Sequence, residues 1–291
     1  MARAPYAFGG LTGEFSDYRK ARFAVLPVPY ERTTSYMKGT SRGPGAIIDA
    51  SRNMELYDEE LDIIAAESGI ATLKPLVVKG GPETMVAKVR AACKKILEDG
   101  KFPVVLGGEH SISPGVCYAL ADHYGEISVL QFDAHSDLRE TYRGSRFSHA
   151  CAMARMRERA GSVQVGIRSV GEDEAELVKE LRGKKRLFLA KDVLSRDCIP
   201  DILGGLRGKV FITFDVDAFD HSMMPSTGTP EPGGLGWYDS LDVIRAVVGA
   251  KDVVGFDVME LCPMKKFHAP DFAIAKLTYK TMGYLASKKQ V

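Results

Sequence analysis

The sequence predicts an α/β fold, a mainly parallel sheet with helices on both faces. Three observations carry that expectation: short β-branched runs recur along the chain, helical patterns stand between them, and several runs are apolar throughout, as strands buried on both faces are. The first strand is Phe23–Val28. A polar, glycine-punctuated segment from Thr33 to Pro44 follows, and a helix is expected to open at Pro44, whose ring suits a first helical turn. That polar segment is a candidate active-site loop. Between Glu83 and Leu97, apolar Met85, Val86, Val89, Ala92, Cys93, Ile96 and Leu97 recur at helical spacing. Strands are then expected at Pro103–Leu106, Ile127–Phe132, Val163–Ile167, Arg186–Leu189, Val210–Phe214 and Val253–Val258, with helices at Glu174–Leu181, Tyr238–Val248 and Asp271–Leu285. No Ser/Pro-rich linker or long charge run divides the chain, so residues 1–291 are expected to form one domain.

Of the 291 residues, 45% are hydrophobic and 26% charged, which excludes a disordered or fibrous chain. Lys and Arg number 39 against 38 Asp and Glu, a formal charge of +1, so no global field draws nucleic acid or an anionic membrane. Nowhere does an uncharged apolar run reach the roughly 18 residues of a membrane span, and the amino terminus lacks the apolar stretch of a secretion signal. A cytoplasmic location is expected. Cys93, Cys117, Cys151, Cys198 and Cys262 are scattered without a C-x-x-C pair, so they are expected to be reduced thiols.

Four apolar strands run straight into ionisable residues: Gly107-Gly108-Glu109-His110, Asp133-Ala134-His135-Ser136-Asp137, Asp215-Val216-Asp217, and Glu260. In parallel sheets ligands bind beyond the carboxyl ends of strands, so these four ends are expected to converge. His110, Asp133, His135, Asp137, Asp215 and Asp217 then form a nitrogen and oxygen donor set without thiolate, suited to Mn²⁺ or a similar borderline-hard ion. Four carboxylates neutralise two divalent cations, whereas one cation would leave a large uncompensated charge. Asp133 and Asp137 would lie about 13 Å apart on an extended chain at ~3.3 Å per residue. The strand must therefore end near Asp133 and the backbone turn irregular from His135, while Asp215 and Asp217 can both serve from an extended segment. Each motif alone also suits a turn or a helix cap; three together at strand ends do not. His123, His221 and His268 are expected in surface or core roles.

These residues resemble a known family. Leu106-Gly-Gly-Glu-His-Ser, Val129-Leu-Gln-Phe-Asp-Ala-His-Ser-Asp and Thr213-Phe-Asp-Val-Asp are similar to the three signatures of the arginase/agmatinase ureohydrolases. The likeness extends from Pro29-Tyr30 to Pro44, through Thr227-Gly-Thr-Pro-Glu-Pro-Gly-Gly, to Asp257-Val-Met-Glu260. The resemblance implies the arginase/deacetylase-like fold, a three-layer αβα sandwich around a mainly parallel sheet, with two Mn²⁺ per subunit. One ion would be held by His110, Asp133, Asp137 and Asp215, the other by His135, Asp133, Asp215 and Asp217, with Asp133 and Asp215 bridging. It further implies that His149 shuttles protons and Glu260 binds the guanidinium, so that His149, Glu260 and Asp137 make up the catalytic group, and that the protein is a homotrimer or homohexamer.

The implied reaction is hydrolysis of a small guanidino compound to urea and an amine. Two cations activate water toward the guanidinium carbon, Glu260 fixes the substrate plane through paired hydrogen bonds, and His149 protonates the departing nitrogen. The Asn-Thr-Pro and Ser-Gly-Asn stretches of arginases that recognise an α-carboxylate are missing between Leu138 and Ser148, which points to agmatine, giving putrescine as in polyamine biosynthesis. Aminopropylagmatine, guanidinobutyrate and guanidinopropionate are the alternatives. Glu140, Tyr142 or Glu231 would meet a distal ammonium. His221, Met224 and Ser226 depart from the family pattern in a loop expected at the pocket edge, and so bear on substrate choice. A deacetylase-like amidohydrolase with one zinc and a noncatalytic relative are the rival classes; the intact six-residue donor set argues against both.

Overall fold

The computed structural model describes residues 6–288, so the ends of the expected 1–291 unit, and the start of the segment read for a secretion signal, lie outside it. Eight strands form one sheet: β1 (Phe23–Val28), β4 (Ile70–Thr72), β5 (Phe102–Gly107), β6 (Ile127–Phe132), β7 (Gly161–Ile167), β8 (Leu187–Leu189), β9 (Lys209–Asp215) and β10 (Val253–Met259). Their order is β4-β1-β5-β10-β9-β6-β7-β8, and every pairing within the sheet is parallel. A short antiparallel pair, β2 (Tyr57–Asp58) with β3 (Ile63–Ile64), stands apart. The helices are α1 (Gly43–Ser51), α2 (Pro82–Glu98), α3 (Ser113–Tyr124), α4 (Ala152–Met156), α5 (Ala175–Gly183), α6 (Ala190–Ser195), α7 (Ile199–Gly205), α8 (Trp237–Ala250) and α9 (Ala269–Ser287).

Successive strand residues point to opposite faces, and the two cores show it. Phe23 and Val25 of β1, Val104 and Leu106 of β5, and Ile212 and Phe214 of β9 pack on one face with α1, α7, α8 and α9. Ala24, Leu26, Val105 and Phe211 pack on the other with α2, α3, α4 and α5. The result is a three-layer sandwich. All seven expected strands form, as do the four expected helices and the helix at Pro44, which stands in the first turn of α1. The edge strand β4, the β2–β3 pair and helices α3, α4, α6 and α7 are additional.

The sheet order positions the chemistry. Strands β5, β10, β9 and β6, which end in the four ionisable clusters, are consecutive neighbours at the centre of the sheet. The chain leaves β5 and reaches β6 through α3, and later inserts β9 and β10 between them. This strand-order break is where parallel α/β sheets open a crevice at their carboxyl edge. Among the described residues no helix is long and apolar enough to cross a membrane.

Candidate metal centre and catalytic cleft

At the end of β5, Gly107 and Gly108 are required by close approach. A Cβ on Gly108 would collide with the Tyr30 carbonyl, and one on Gly107 with the Met259 sulfur. The Gly108 amide donates to Val28 O at 3.0 Å, and its carbonyl accepts from the Glu260 amide at 2.8 Å, so three strand ends are drawn together. His110 then opens a short 3-10 turn, fully buried. Glu260, one residue past β10, adopts φ 66°, which turns its carboxylate back so that Oε1 accepts from the His110 amide at 2.7 Å.

Strand β6 stops at Phe132, as the reach between Asp133 and Asp137 demanded, and Asp137 adopts left-handed backbone with φ 52°. Its carbonyl accepts from the Ala154 amide at 3.0 Å, tying the curled segment to α4. The end of β9 differs from expectation. The strand stops at Asp215, and Val216–Ala218 form a 3-10 turn rather than extended chain. The cause is capping: Asp215 Oδ1 accepts from the Asp217 amide at 3.0 Å, which tightens the turn.

Six side chains converge. His110 Nδ1 lies 3.1 Å from Asp133 Oδ2, 3.2 Å from Asp137 Oδ2 and 3.3 Å from Asp215 Oδ2. His135 Nδ1 lies 2.9 Å from Asp217 Oδ2 and 3.6 Å from Asp133 Oδ1. Two donor triads result, His110–Asp133–Asp137 and Asp133–His135–Asp217, with ligand atoms within 4.8 Å of one another in each and Asp133 in both. Asp215 reaches the first triad through His110. His110 Nδ1 is buried and makes no well-aligned hydrogen bond although carboxylates surround it, as expected of a nitrogen whose lone pair is directed at a shared cation. Imidazole and carboxylate donors without sulfur fit Mn²⁺ and similar ions.

Burial and mutual repulsion govern the charges. Burial lifts the Asp137 carboxyl to about 7, with Asp133 adding to it, and lifts Asp215 well above the carboxylate range, with Asp217 and Asp133 adding to it. Burial alone would lower both imidazoles. The carboxylates of Asp133, Asp137 and Asp215 outweigh it at His110, and Asp217 with Asp133 holds His135 up to about 12. Such crowding of acids is what divalent cations relieve.

Beneath the ligands runs a row of polar side chains that sequence reasoning missed. Asp257 of β10, Thr213 of β9, Gln131 of β6 and Gln164 of β7 are partners across neighbouring strands. Thr213 Oγ1 lies 3.0 Å from His110 Nε2, and Gln131 Nε2 donates to Asp133 Oδ2 at 2.6 Å. Gln164 in turn donates to Gln131 Oε1. Hydrogen bonds of this kind fix the orientation and tautomer of ligating side chains. The signal was a single polar residue inside an apolar strand two places before its ionisable end, as in Leu-Gln-Phe and Ile-Thr-Phe.

The cleft above the donors is lined by Thr34–Met37 of the candidate loop, by Tyr142, His149, Glu260 and Thr227–Thr229, and by the donors themselves. His149 stands at the start of a 3-10 turn, half-buried, with its ring edge-on to Tyr142 at 5.8 Å. Burial first, and then the positive charges of His135, His110 and Arg143, lower His149 to about 4. Glu260 is lifted well above the usual range, by burial and then by Glu109.

Of the three groups considered for a distal ammonium, Glu140 is engaged elsewhere, 2.5 Å from the buried Arg155 guanidinium. Tyr142 carries Arg139 and Arg143 over its ring, each at 5.3 Å. Glu231 Oε1 lies 3.9 Å from His135 Nε2 with its side chain 36% exposed. The residues expected to alter the pocket edge do not line the cleft: Met224 packs in the core, His221 is exposed, and Ser226 is buried beside the segment. Apolar Met224 is drawn into the core and the cleft wall begins only at Thr227. His123 and His268 are exposed, and all five cysteines are buried free thiols.

Known proteins share this architecture. A family profile described as the Arginase family matches residues 21–283. The chain is 40% identical over 279 residues to the N(1)-aminopropylagmatine ureohydrolase of Synechocystis sp., covering 92% of this chain and 90% of that protein. It is 33% identical to the agmatinase of Pyrococcus horikoshii, over 93% and 94% of the two chains. The crystal structure of the agmatine ureohydrolase of Thermoplasma volcanium superposes with a TM-score of 0.85 at 29% identity, covering 99% of this chain and 96% of the other. With its central parallel sheet, its two triads sharing one aspartate and this match over most of its length, the chain belongs to the arginase family.

Proposed function

We propose that this protein hydrolyses a guanidinoalkylamine to urea and an amine at a two-Mn²⁺ centre, with N(1)-aminopropylagmatine as the principal substrate. The observation that carries the reading is the pair of donor triads sharing Asp133 in one cleft with Glu260 and His149. His110, Asp133, Asp137 and Asp215 would hold one ion, and His135, Asp133, Asp215 and Asp217 the other. When bound, the two ions supply Lewis acidity and bring water ionisation near neutral pH.

The protein's own groups do the rest. Glu260 keeps Oε1 on the His110 amide and leaves Oε2 to accept from the guanidinium, whose positive charge favours the ionised carboxylate. His149, held neutral by burial and neighbouring cations, takes up a proton at the cleft and delivers it to the departing nitrogen, since an unprotonated amine anion does not leave. Glu231 does not itself line the cleft, but its Oε1 lies 3.9 Å from His135 Nε2, which does, and this supports it as the partner of a distal ammonium; the exposed Tyr36 and Met37 leave the cleft open to a long chain. The longer substrate is favoured over agmatine by the relatives at 40% and 41% identity that bear its name. Agmatine is the second reading, favoured by the agmatinase relative at 33%.

Urea release by the purified, Mn²⁺-loaded protein over a panel of guanidines tests this. The expected result is the highest kcat/KM for N(1)-aminopropylagmatine. A higher value for agmatine selects the second reading. Fully loaded protein inert toward every guanidine would overturn catalysis, and a single tightly held zinc per chain would restore the deacetylase-like class.

A further inference from the structure

Glu109 belongs to the strand-end motif but is not a ligand, and its role is written in its hydrogen bonds. It is fully buried. Oε2 accepts from the amides of Arg32 at 2.5 Å and Thr33 at 2.6 Å, and Oε1 accepts from the hydroxyls of Thr33 at 2.7 Å and Ser111 at 2.6 Å. The Thr33 hydroxyl faces His149 on its other side: it accepts from the His149 amide at 2.9 Å and lies 3.2 Å from His149 Nδ1.

Proton counting decides the direction of that last contact. A threonine hydroxyl has one hydrogen, and here the nearer carboxylate takes it. Thr33 Oγ1 can then only accept, so Nδ1 of His149 must carry a hydrogen and donate it. Among the described residues none bonds Nε2. We propose that Glu109, acting through Thr33, is a positioning group for His149: it locks the ring as the Nδ1–H tautomer and leaves Nε2 as the nitrogen that exchanges protons in the cleft. The arrangement works as the carboxylate behind a catalytic histidine does, with a hydroxyl interposed. It also couples the His149 ring to the 33–44 loop that walls the cleft. Among the described residues Ser148 Oγ, 3.3 Å from the same nitrogen, is the one competing hydroxyl.

The inference rests on His149 being the proton carrier, and the experiment separates the two. With Mn²⁺-loaded enzyme and whichever guanidine it turns over best, Thr33→Val is expected to lower kcat by about tenfold, the worth of one hydrogen bond to a partner that becomes charged. KM and metal content should stay at wild-type values, Thr33→Ser should restore the rate, and Thr33→Ala should show the same loss without added bulk. Ser148→Ala should be neutral. In a His149→Asn background, which is itself slow, Thr33→Val should cost nothing more. If His149→Asn is slow but Thr33→Val and Thr33→Ala turn over normally, the relay is refuted and the proton-carrier role stands. If His149→Asn turns over normally, both fall. A full additional loss in the double variant, or a loss in Ser148→Ala, would overturn the assignment to Thr33.

Discussion

Thr213→Val isolates the polar row beneath the metal site. Valine copies the shape of threonine, so no cavity opens and the change is one of hydrogen bonding. Thr213 Oγ1 lies 3.0 Å from His110 Nε2 and donates to Ser113 Oγ at 3.2 Å, and all three residues are buried. Removing the hydroxyl strands a buried imidazole N–H, a penalty of about 1–3 kcal/mol. Part of that penalty is paid with or without a cation on Nδ1. The remainder, from the stronger N–H dipole of a metal-loaded imidazole, should weaken cation binding by about tenfold, the lower end for such outer partners. The loss should be lopsided, because His135 and Asp217 have no bond to Thr213. Metal content after dialysis against graded chelator should show one Mn²⁺ leaving early and the other at its wild-type concentration, with a lowered melting temperature. Two ions retained at wild-type chelator levels would refute the role given to Thr213.

Three further outcomes are expected. Glu260→Gln should raise KM for any guanidine by about ten- to a hundredfold, the worth of a charge-assisted pair, with metal content intact because glutamine still accepts from the His110 amide; an unchanged KM disposes of the anchoring role. Metal uptake should release protons and tighten as pH rises from about 6 to 8, because Asp137, lifted to about 7 chiefly by burial, and His135, held up to about 12, must lose theirs; calorimetry in buffers of different ionisation heat measures the count, and zero release contradicts it. Asp220 accepts from Ser222, Gly233 and Gly234, and the Ser222 hydroxyl foremost lowers its pKa below the carboxylate range. A depressed folded-state value stabilises above the unfolded pKa of about 3.9 and is lost as pH falls further. Asp220→Ala should thus cost about 1.5–3 kcal/mol at pH 7 and flatten acid unfolding below pH about 4; an unchanged acid limb counts against it.

Much of this was legible in the chain. The six candidate donors stood out because apolar strands ran into them, and the parallel sheet that alternation implied brought those ends together. Strand β4 was not legible, since three residues give no periodicity, nor was α3, which is buried on most sides and lacks the polar stripe of a surface helix. Glu140 looked available because nothing in its spacing reveals Arg155, fifteen residues on. The organisers Thr33, Glu109, Thr213 and Gln131 escaped notice for a related reason. Most of their partners come from segments far off in the chain, as His110 does for Thr213 and Arg32 for Glu109, and only the tertiary fold makes them neighbours; Gln131, by contrast, bonds Asp133 two residues on. Spacing reveals what one strand presents, not what the adjacent strand needs.

Asp137 and Glu260 share a backbone shape that side chains resist, at φ 52° and 66°. Glycine would rest there at ease, whereas each acid stores on the order of 1 kcal/mol of strain. A laboratory selection for heat resistance alone would therefore drift toward glycine at Asp137, discarding a proposed metal donor while the sheet beneath stayed whole, whereas glycine at Glu260 would strand the buried His110 amide at about 1–3 kcal/mol, more than the strain relieved. The fold endures these two conformations for the sake of what the carboxylates do, and a hardened variant that keeps its activity must find its gains elsewhere.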